Sequence, residues 1–528
     1  MKITFYGAAR AVTGSCHCLD AAGVRILIDC GLQQGGDEID NSSLPFSPSA
    51  VDYVIVTHAH IDHTGRLPLM VKQGFKGHII ATRLTAELMS IMLRDSAHIQ
   101  ESDAEWENRK GKRAGRNIKE PLYNLQDAEK TMGYVWSSDY GEKVEITQDI
   151  SLRFTDAGHL LGSAMVELWI RENGIERKLV FSGDIGNYKQ PIIRDPQLIR
   201  EADYVVMEST YGDRNHEGEG EYTENLARVL DDTFAKGGNI IIPSFAVGRT
   251  QELLYFIREI KEKRLVKSLP DFPVYVDSPL ANEATKIFSG DLKGYIDEEA
   301  QALVKDGVGM FTFPNLKLCE STEESRGLNE DKSPKVIISA SGMCDAGRIR
   351  HHLKHNLWRP ESAVVFVGYQ ASGSLGRLLL DGAERVKLFG EEIAVQASIV
   401  NFKGLSSHAG REGLIDWIEA FSPKPKHIFV VHGEADVAVS FADTLKDKGL
   451  DAHAPEYLEV YDLVSCVLLH PGMTPEYKKK GKESTVYARL LNMGQQLLEV
   501  IKQNKGGANK DLAKFADQIK ALIDKWDR

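Results

Sequence analysis

The sequence predicts an α/β protein of more than one domain, on three observations. Short apolar runs ending at polar residues fill the first two hundred positions, a helix–strand alternation follows, and strand-and-loop patterning returns before a helical tail. A chain of 528 residues exceeds what one hydrophobic core usually organises.

In the first region, Val24-Arg25-Ile26-Leu27-Ile28 and Val51 to Val56 read as buried strands, and Met1 to Tyr6 reads as a first strand rather than a signal peptide. Residues 84–131 are helical, charged and poor in strand formers. From about 210 to 395, Ile240-Ile241-Ile242 precedes a helix at 250–262. Val336-Ile337-Ile338 and Val364 to Val367 precede glycine-rich turns, as in a doubly wound unit. The expected division is 1–209, an inserted unit at 210–395, a return at 396–470, and a helical extension at 471–528. In that extension Leu512, Phe515, Ile519, Leu522 and Trp526 share a helix face after a break at Gly506-Gly507. Such a face packs against the body or against a second copy, as in a homodimer.

Composition narrows the class. Hydrophobic residues at 42% and charged residues at 27% fit a globular chain, and no apolar run approaches the roughly 20 residues of a membrane helix. Six scattered cysteines are too sparse for a disulfide framework, so the expected setting is the reducing cytoplasm, with no membrane partner. Cys16-His17-Cys18 fits strand alternation better than a metal site. The net charge of −12 argues against a broad phosphate-binding face, although a metal site brings its own positive charge. The basic runs Arg109 to Lys119 and Lys478-Lys479-Lys480 with Lys482 are ordinary for solvated surface.

The strongest signal is Thr57-His58-Ala59-His60-Ile61-Asp62-His63 at the C-terminal end of an expected strand, where open α/β sheets place their sites. Three imidazoles and a carboxylate within six residues suit zinc, and no packing role calls for all four. Together with later segments this pattern resembles the metallo-β-lactamase superfamily. Asp29 stands at the first motif, His159 in Asp156-Ala157-Gly158-His159 at the third, and Asp184 in Ser182-Gly183-Asp184 at the fourth. Met207-Glu208-Ser209-Thr210-Tyr211, Leu405-Ser406-Ser407-His408 and Val430-Val431-His432-Gly433 resemble motifs A, B and C of the β-CASP nucleases.

The resemblance covers nearly all of 1–470. It implies an αββα metallo-β-lactamase fold with an inserted β-CASP α/β domain. It also implies two zinc ions, one on His58, His60 and His159 and one on Asp62, His63 and His432, joined by Asp184, with Asp29 orienting a ligand. Asp62, Asp184, Glu208 and His408 are then the catalytic set, His408 being the general acid and Glu208 its carboxylate partner. The implied activity is hydrolysis of RNA to 5′-phosphate and 3′-hydroxyl ends. Endonuclease action is favoured over 5′-to-3′ exonuclease action, because motif A carries glutamate and the layout resembles the cleavage-factor group. DNA-directed relatives usually carry valine in motif C, so His432 favours RNA.

Three turns of the inserted unit carry glycines, hydroxyls and an arginine suited to phosphates: 243–250, 340–348 and 368–377. Ser244 and Arg249 on the first, and Ser341, Gly342 and Arg348 on the second, are the expected substrate-binding residues. Two other classes compete. A non-catalytic scaffold of the same fold usually lacks several of the seven ligands present here. A non-nuclease hydrolase or oxidoreductase of the superfamily leaves motifs A to C unexplained.

Overall fold

The computed structural model describes residues 1–475 apart from 35–38, 113–116, 217–221, 372 and 403–404, and parts of 493–526 including the helix Asn509–Trp526. Lys478 to Lys480, Lys482, Gly506-Gly507 and Ser372 of the expected third phosphate turn lie outside the described residues, as do positions 113–116 of the first basic run.

Two sheets face each other. Among the described residues the first has eight strands, in the order Val467–Met473, Tyr457–Asp462, Lys2–Gly7, Cys16–Ala21, Val24–Ile28, Tyr53–Ile55, His78–Thr82, Val135–Ser138. The second has seven: Ala452–His453, His427–Val431, Tyr204–Glu208, Ile175–Phe181, Ala164–Glu172, Ile150–Asp156, Lys143–Thr147. Alternate residues of both, among them Ile3, Phe5, Ile26, Ile28, Leu152, Phe154, Val166, Phe181, Val206 and Phe429, form a dry layer between them. Cys16, Leu27, Val54 and Val56 point the other way, into a core that includes Leu88 and Met89 of the helix Arg83–Lys112. On the outer face of the second sheet, Val205, Met207, Ile428 and Val430 pack with Trp417 and Phe441 from the helices Arg411–Glu419 and Ala435–Asp447. The layers are therefore helix, sheet, sheet, helix, the αββα arrangement expected.

The inserted unit is built on a parallel sheet ordered Leu316–Leu318, Val274–Val276, Val336–Ser339, Ile240–Pro243, Ala363–Phe366, Ser398–Asn401. Its central strands are buried on both faces, which is why they read as unbroken apolar runs. The strand Ser398–Asn401 lies past the expected boundary at 395 yet completes this sheet by pairing with Ala363–Phe366. Likewise Val467–Met473 runs past the expected boundary at 470 and pairs with Tyr457–Asp462.

The described residues between 493 and 526 belong to a unit distinct from Met1–Glu476. Within its helix Asn509–Trp526, Leu512, Phe515 and Ile519 are partly covered while Leu522 is exposed. Among the described residues, no helix is long and apolar enough to cross a membrane.

Candidate active site

The site collects on the loops that leave the C-terminal ends of strands in both facing sheets. After Tyr53–Ile55 the chain enters one helical turn, Ile61–Thr64, which carries Asp62 and His63, while His58 and His60 lie just before it. His159 sits in the loop between Ile150–Asp156 and Ala164–Glu172, and Asp184 follows Ile175–Phe181. Glu208 ends Tyr204–Glu208, and His432 follows His427–Val431 with a positive φ of 49°. Close approach is built in at Gly31, where an added Cβ would stand 1.5 Å from the Asp62 carbonyl oxygen.

Three donor groups result. Ring nitrogens of His58, His60 and His159 and a carboxylate oxygen of Asp184 form the first. His60 Nδ1 lies 3.0 Å from His58 Nε2 and 3.3 Å from His159 Nε2, and Asp184 Oδ2 lies 3.5 and 3.6 Å from those two Nε2 atoms. Asp62, His63 and His432 form the second, with the two Nε2 atoms 3.2 Å apart and Asp62 Oδ2 3.9 and 3.5 Å from them. Asp184 Oδ1 faces this group, 3.4 Å from His63 Nε2. The third joins Asp184, Glu208 and His408.

Neighbouring side chains fix the ring orientations. Asp29 Oδ2 accepts from His63 Nδ1 at 2.8 Å, and Asp29 itself accepts from the Thr57 amide at 2.8 Å and from Ser15 Oγ at 3.2 Å. His63 Nε2 is thereby left facing the donor group. His159 Nδ1 donates to the Ser407 carbonyl at 3.2 Å, and Thr210 Oγ1 lies 3.1 Å from His432 Nδ1. His408 Nδ1 lies 3.2 Å from both Glu208 oxygens, and Glu208 also accepts from the Ile185 amide at 2.6 Å.

Electrostatics divides the histidines. Burial pushes His58, His60 and His159 down, towards the neutral form whose lone pair a metal requires. Burial also opposes charge on His63, but Asp184, Asp29 and Asp62 outweigh it and raise the group to about 10. At His408 burial is likewise outweighed, by Glu208 and then Asp184, which raise it to about 9.

Zinc fits this donor set on an independent observation. Asp184 Oδ1 is buried with no hydrogen-bond partner, an expensive arrangement for a carboxylate unless a cation meets it. Converging imidazole nitrogens, with the far ring edges of His58, His63, His159 and His432 held by hydrogen bonds, are the surroundings zinc takes.

The expected phosphate turns differ from this pattern. Arg249 is buried in an ion pair with Glu252, and Ser244 Oγ accepts from Thr250 Oγ1 at 3.1 Å. Arg348 donates from Nη1 to Asp277 Oδ1 at 2.7 Å and from Nη2 to the Glu320 carbonyl at 2.9 Å. Ser341 Oγ stays within its own turn, 3.4 Å from the Ala346 amide, and Gly342 lies against the Phe245 ring. Sequence reasoning missed Thr57, Ser407 and Gln190, which hold the ligand loops. Their bonds run to backbone carbonyls or through a common hydroxyl, and such residue types carry no spacing signal.

With fold and geometry in hand, family comparisons define the class. Residues 10–244 match the metallo-beta-lactamase superfamily, 250–379 the Beta-Casp domain, and 392–455 the Zn-dependent metallo-hydrolase RNA specificity domain. The chain belongs to the β-CASP family of metallo-β-lactamase-fold, metal-dependent hydrolases. Among individual proteins it is 38% identical over 460 residues to ribonuclease TTHA0252 of Thermus thermophilus, covering 87% of this chain and 99% of that one. It is 32% identical over 459 residues to transcription termination factor FttA of Methanocaldococcus jannaschii, covering 84% of this chain and 69% of that one. For FttA of Methanosarcina mazei the identity is 31% over 462 residues, covering 85% and 69%.

Proposed function

We propose that this protein is a two-zinc ribonuclease that cuts phosphodiester bonds, favouring internal ones, and leaves 5′-phosphate and 3′-hydroxyl ends. The observation that carries the reading is Asp184, whose two oxygens face two separate sets of ring nitrogens. His58, His60 and His159 would hold one zinc, and Asp62, His63 and His432 the other, with Asp184 common to both. Bound zinc supplies Lewis acidity that activates water and offsets charge on the phosphoryl oxygens.

The remaining chemistry belongs to side chains. As the bond from phosphorus to the 3′ oxygen breaks, that oxygen takes the proton of His408. Glu208 keeps the imidazole charged beforehand and fixes its plane through Nδ1. The water that adds to phosphorus leaves its oxygen on the 5′-phosphate product. RNA is supported as substrate by the RNA-specificity match over 392–455, which contains both His408 and His432, and by the relative named a ribonuclease.

The test combines metal analysis with product mapping. Protein purified without added metal is expected to hold about two zinc ions per chain. It should cut internally labelled RNA far faster than DNA of the same sequence, and new ends should carry 5′ phosphate. One ion or none sinks the two-zinc reading, and equal rates on DNA sink the RNA preference. Release of 5′ mononucleotides alone transfers the activity to the exonuclease class.

A further inference from the structure

We propose that Gln190 is a positioning residue for leaving-group protonation, its amide tying the loop of His408 to the loops of His159 and Asp184. The proposal rests on the reading of His408 as general acid.

Gln190 Nε2 lies 3.0 Å from the Ser407 carbonyl oxygen, 3.1 Å from that of Asn187 and 3.2 Å from that of Gly158. These carbonyls belong to three chain segments. Ser407 precedes His408, Gly158 precedes His159, and Asn187 stands three residues after Asp184. An amide nitrogen carries two protons, so Gln190 serves two of the three carbonyls fully and shares the third. Its Oε1 is buried without a hydrogen-bond partner, so the side chain is bonded through its donor end. A buried acceptor left unsatisfied is unfavourable, and the bonds at the donor end must offset it.

The Ser407 carbonyl is the centre of this arrangement. It also accepts from His159 Nδ1 at 3.2 Å and from the Asn187 amide at 2.9 Å. A second backbone bond, from the Ala409 amide to the Ile185 carbonyl at 2.7 Å, completes a bridge around His408. The imidazole is then fixed at its ring by Glu208 and at its backbone by the Ser407 peptide. Without the Gln190 amide, His159 Nδ1 and Asn187 still hold that carbonyl, while the Gly158 and Asn187 carbonyls lose their shared donor. The metal-facing histidine therefore stays in place. The angle between its loop and that of His408 loosens, and that angle sets how the proton donor meets the departing oxygen.

Gln190→Met keeps the side-chain length and removes both donors, and Gln190→Glu keeps an acceptor of the same shape. Both are made in the full chain and compared with His408→Ala for zinc content, thermal midpoint, and kcat and KM. Two substrates are used: RNA, and the p-nitrophenyl ester of thymidine 5′-monophosphate, whose nitrophenolate departs as a stable anion without a proton. On RNA, kcat should fall about 10–100-fold with KM changed by about twofold or less, the scale of a misplaced catalytic group. On the nitrophenyl ester the rate should stay within about threefold of the unaltered protein, as for His408→Ala, because no acid is needed there. Zinc content should be unchanged. Equal losses on both substrates, or loss of zinc, would overturn the proposal, since Gln190 would then support the metal centre or the fold. If His408→Ala is itself impaired equally on both, the general-acid reading falls first. If His408→Ala is selective and the Gln190 variants are not, only the role of Gln190 falls.

Discussion

At the scale of single residues, Asp184 separates two kinds of histidine. Its Oδ2 faces His58 and His159 and, at 3.9 Å, His408 Nδ1, so His408 is close enough to compete as a ligand. Glu208, fully buried and nearer at 3.2 Å, favours the proposed role of proton donor instead. His408→Ala is therefore expected to keep its zinc and bind RNA while hydrolysis falls by on the order of 10²–10⁴-fold, the span of a placed proton donor. Glu208→Gln should lose less, since the proton donor survives without its charge support. His432→Ala should instead lose affinity for one zinc and recover in part when metal is added. Zinc stoichiometry beside single-turnover cleavage separates these outcomes. A His408→Ala protein lacking zinc, with a His432→Ala protein keeping both ions, would exchange the two roles. The convergence of the seven expected donor side chains was legible because metal chemistry restricts residue type, and strand ends restrict their order. Gln190 and Ser407 were not, because a carbonyl can be met by almost any donor the fold brings near.

At the scale of elements, the turns of the inserted sheet show why glycine, hydroxyl and arginine make an ambiguous signal. Arg348 has a buried carboxylate within reach, and the pairing turns it inward. Asp277, at the end of Val274–Val276, is fully buried and accepts from Arg348 at 2.7 Å, from His352 Nε2 at 2.6 Å and from Ser325 Oγ at 2.5 Å. Burial alone would raise its pKa, yet His352, Ser325 and Arg348 together hold it below the ordinary carboxylate value. This knot ties three elements: the strand Val274–Val276, which Asp277 follows, the helix Thr322–Glu330 carrying Ser325, and the helix Ile349–Asn356 carrying His352. Removing the anion takes an acceptor from the buried His352 imidazole, from Ser325 Oγ and from one end of the half-buried Arg348 guanidinium, whose other end keeps the Glu320 carbonyl. Asp277→Ala should cost about 3–5 kcal/mol, the range for breaking a buried ion pair from one side. Asp277→Asn should cost less, because an acceptor oxygen remains. Urea unfolding monitored beside zinc content is the measurement. A loss below about 1 kcal/mol would mean the knot is no firmer than a surface pair.

At the scale of the whole molecule, strands and helices were legible from apolar runs, the αββα layering only through the family resemblance, and the order of strands through neither. Lys2–Gly7 pairs on one side with Cys16–Ala21 and on the other with Tyr457–Asp462, a partner that no local periodicity could name. The place of the strand just past the expected boundary near 395 was hidden for a similar reason. Ser398–Asn401 reads as one more short strand, and only its pairing with Ala363–Phe366 assigns it to the inserted sheet. Charge is a property of the same scale, and it bears on how substrate is held. The chain carries a net −12, and the arginines of the first two of the three expected phosphate turns are committed to Glu252 and Asp277. Neither arginine is free to meet phosphate, so attraction for RNA is expected to draw chiefly on the metal centre. Each phosphate neutralised by a lysine or arginine on a single strand steepens the salt dependence of binding by about 0.7 in log–log slope. With zinc held constant, log(kcat/KM) on RNA should fall with log salt at a slope no steeper than about −2, between roughly 50 and 200 mM. A slope of about −4 or steeper would require about six phosphate contacts, and the substrate path would then have to run over a basic surface elsewhere on the chain.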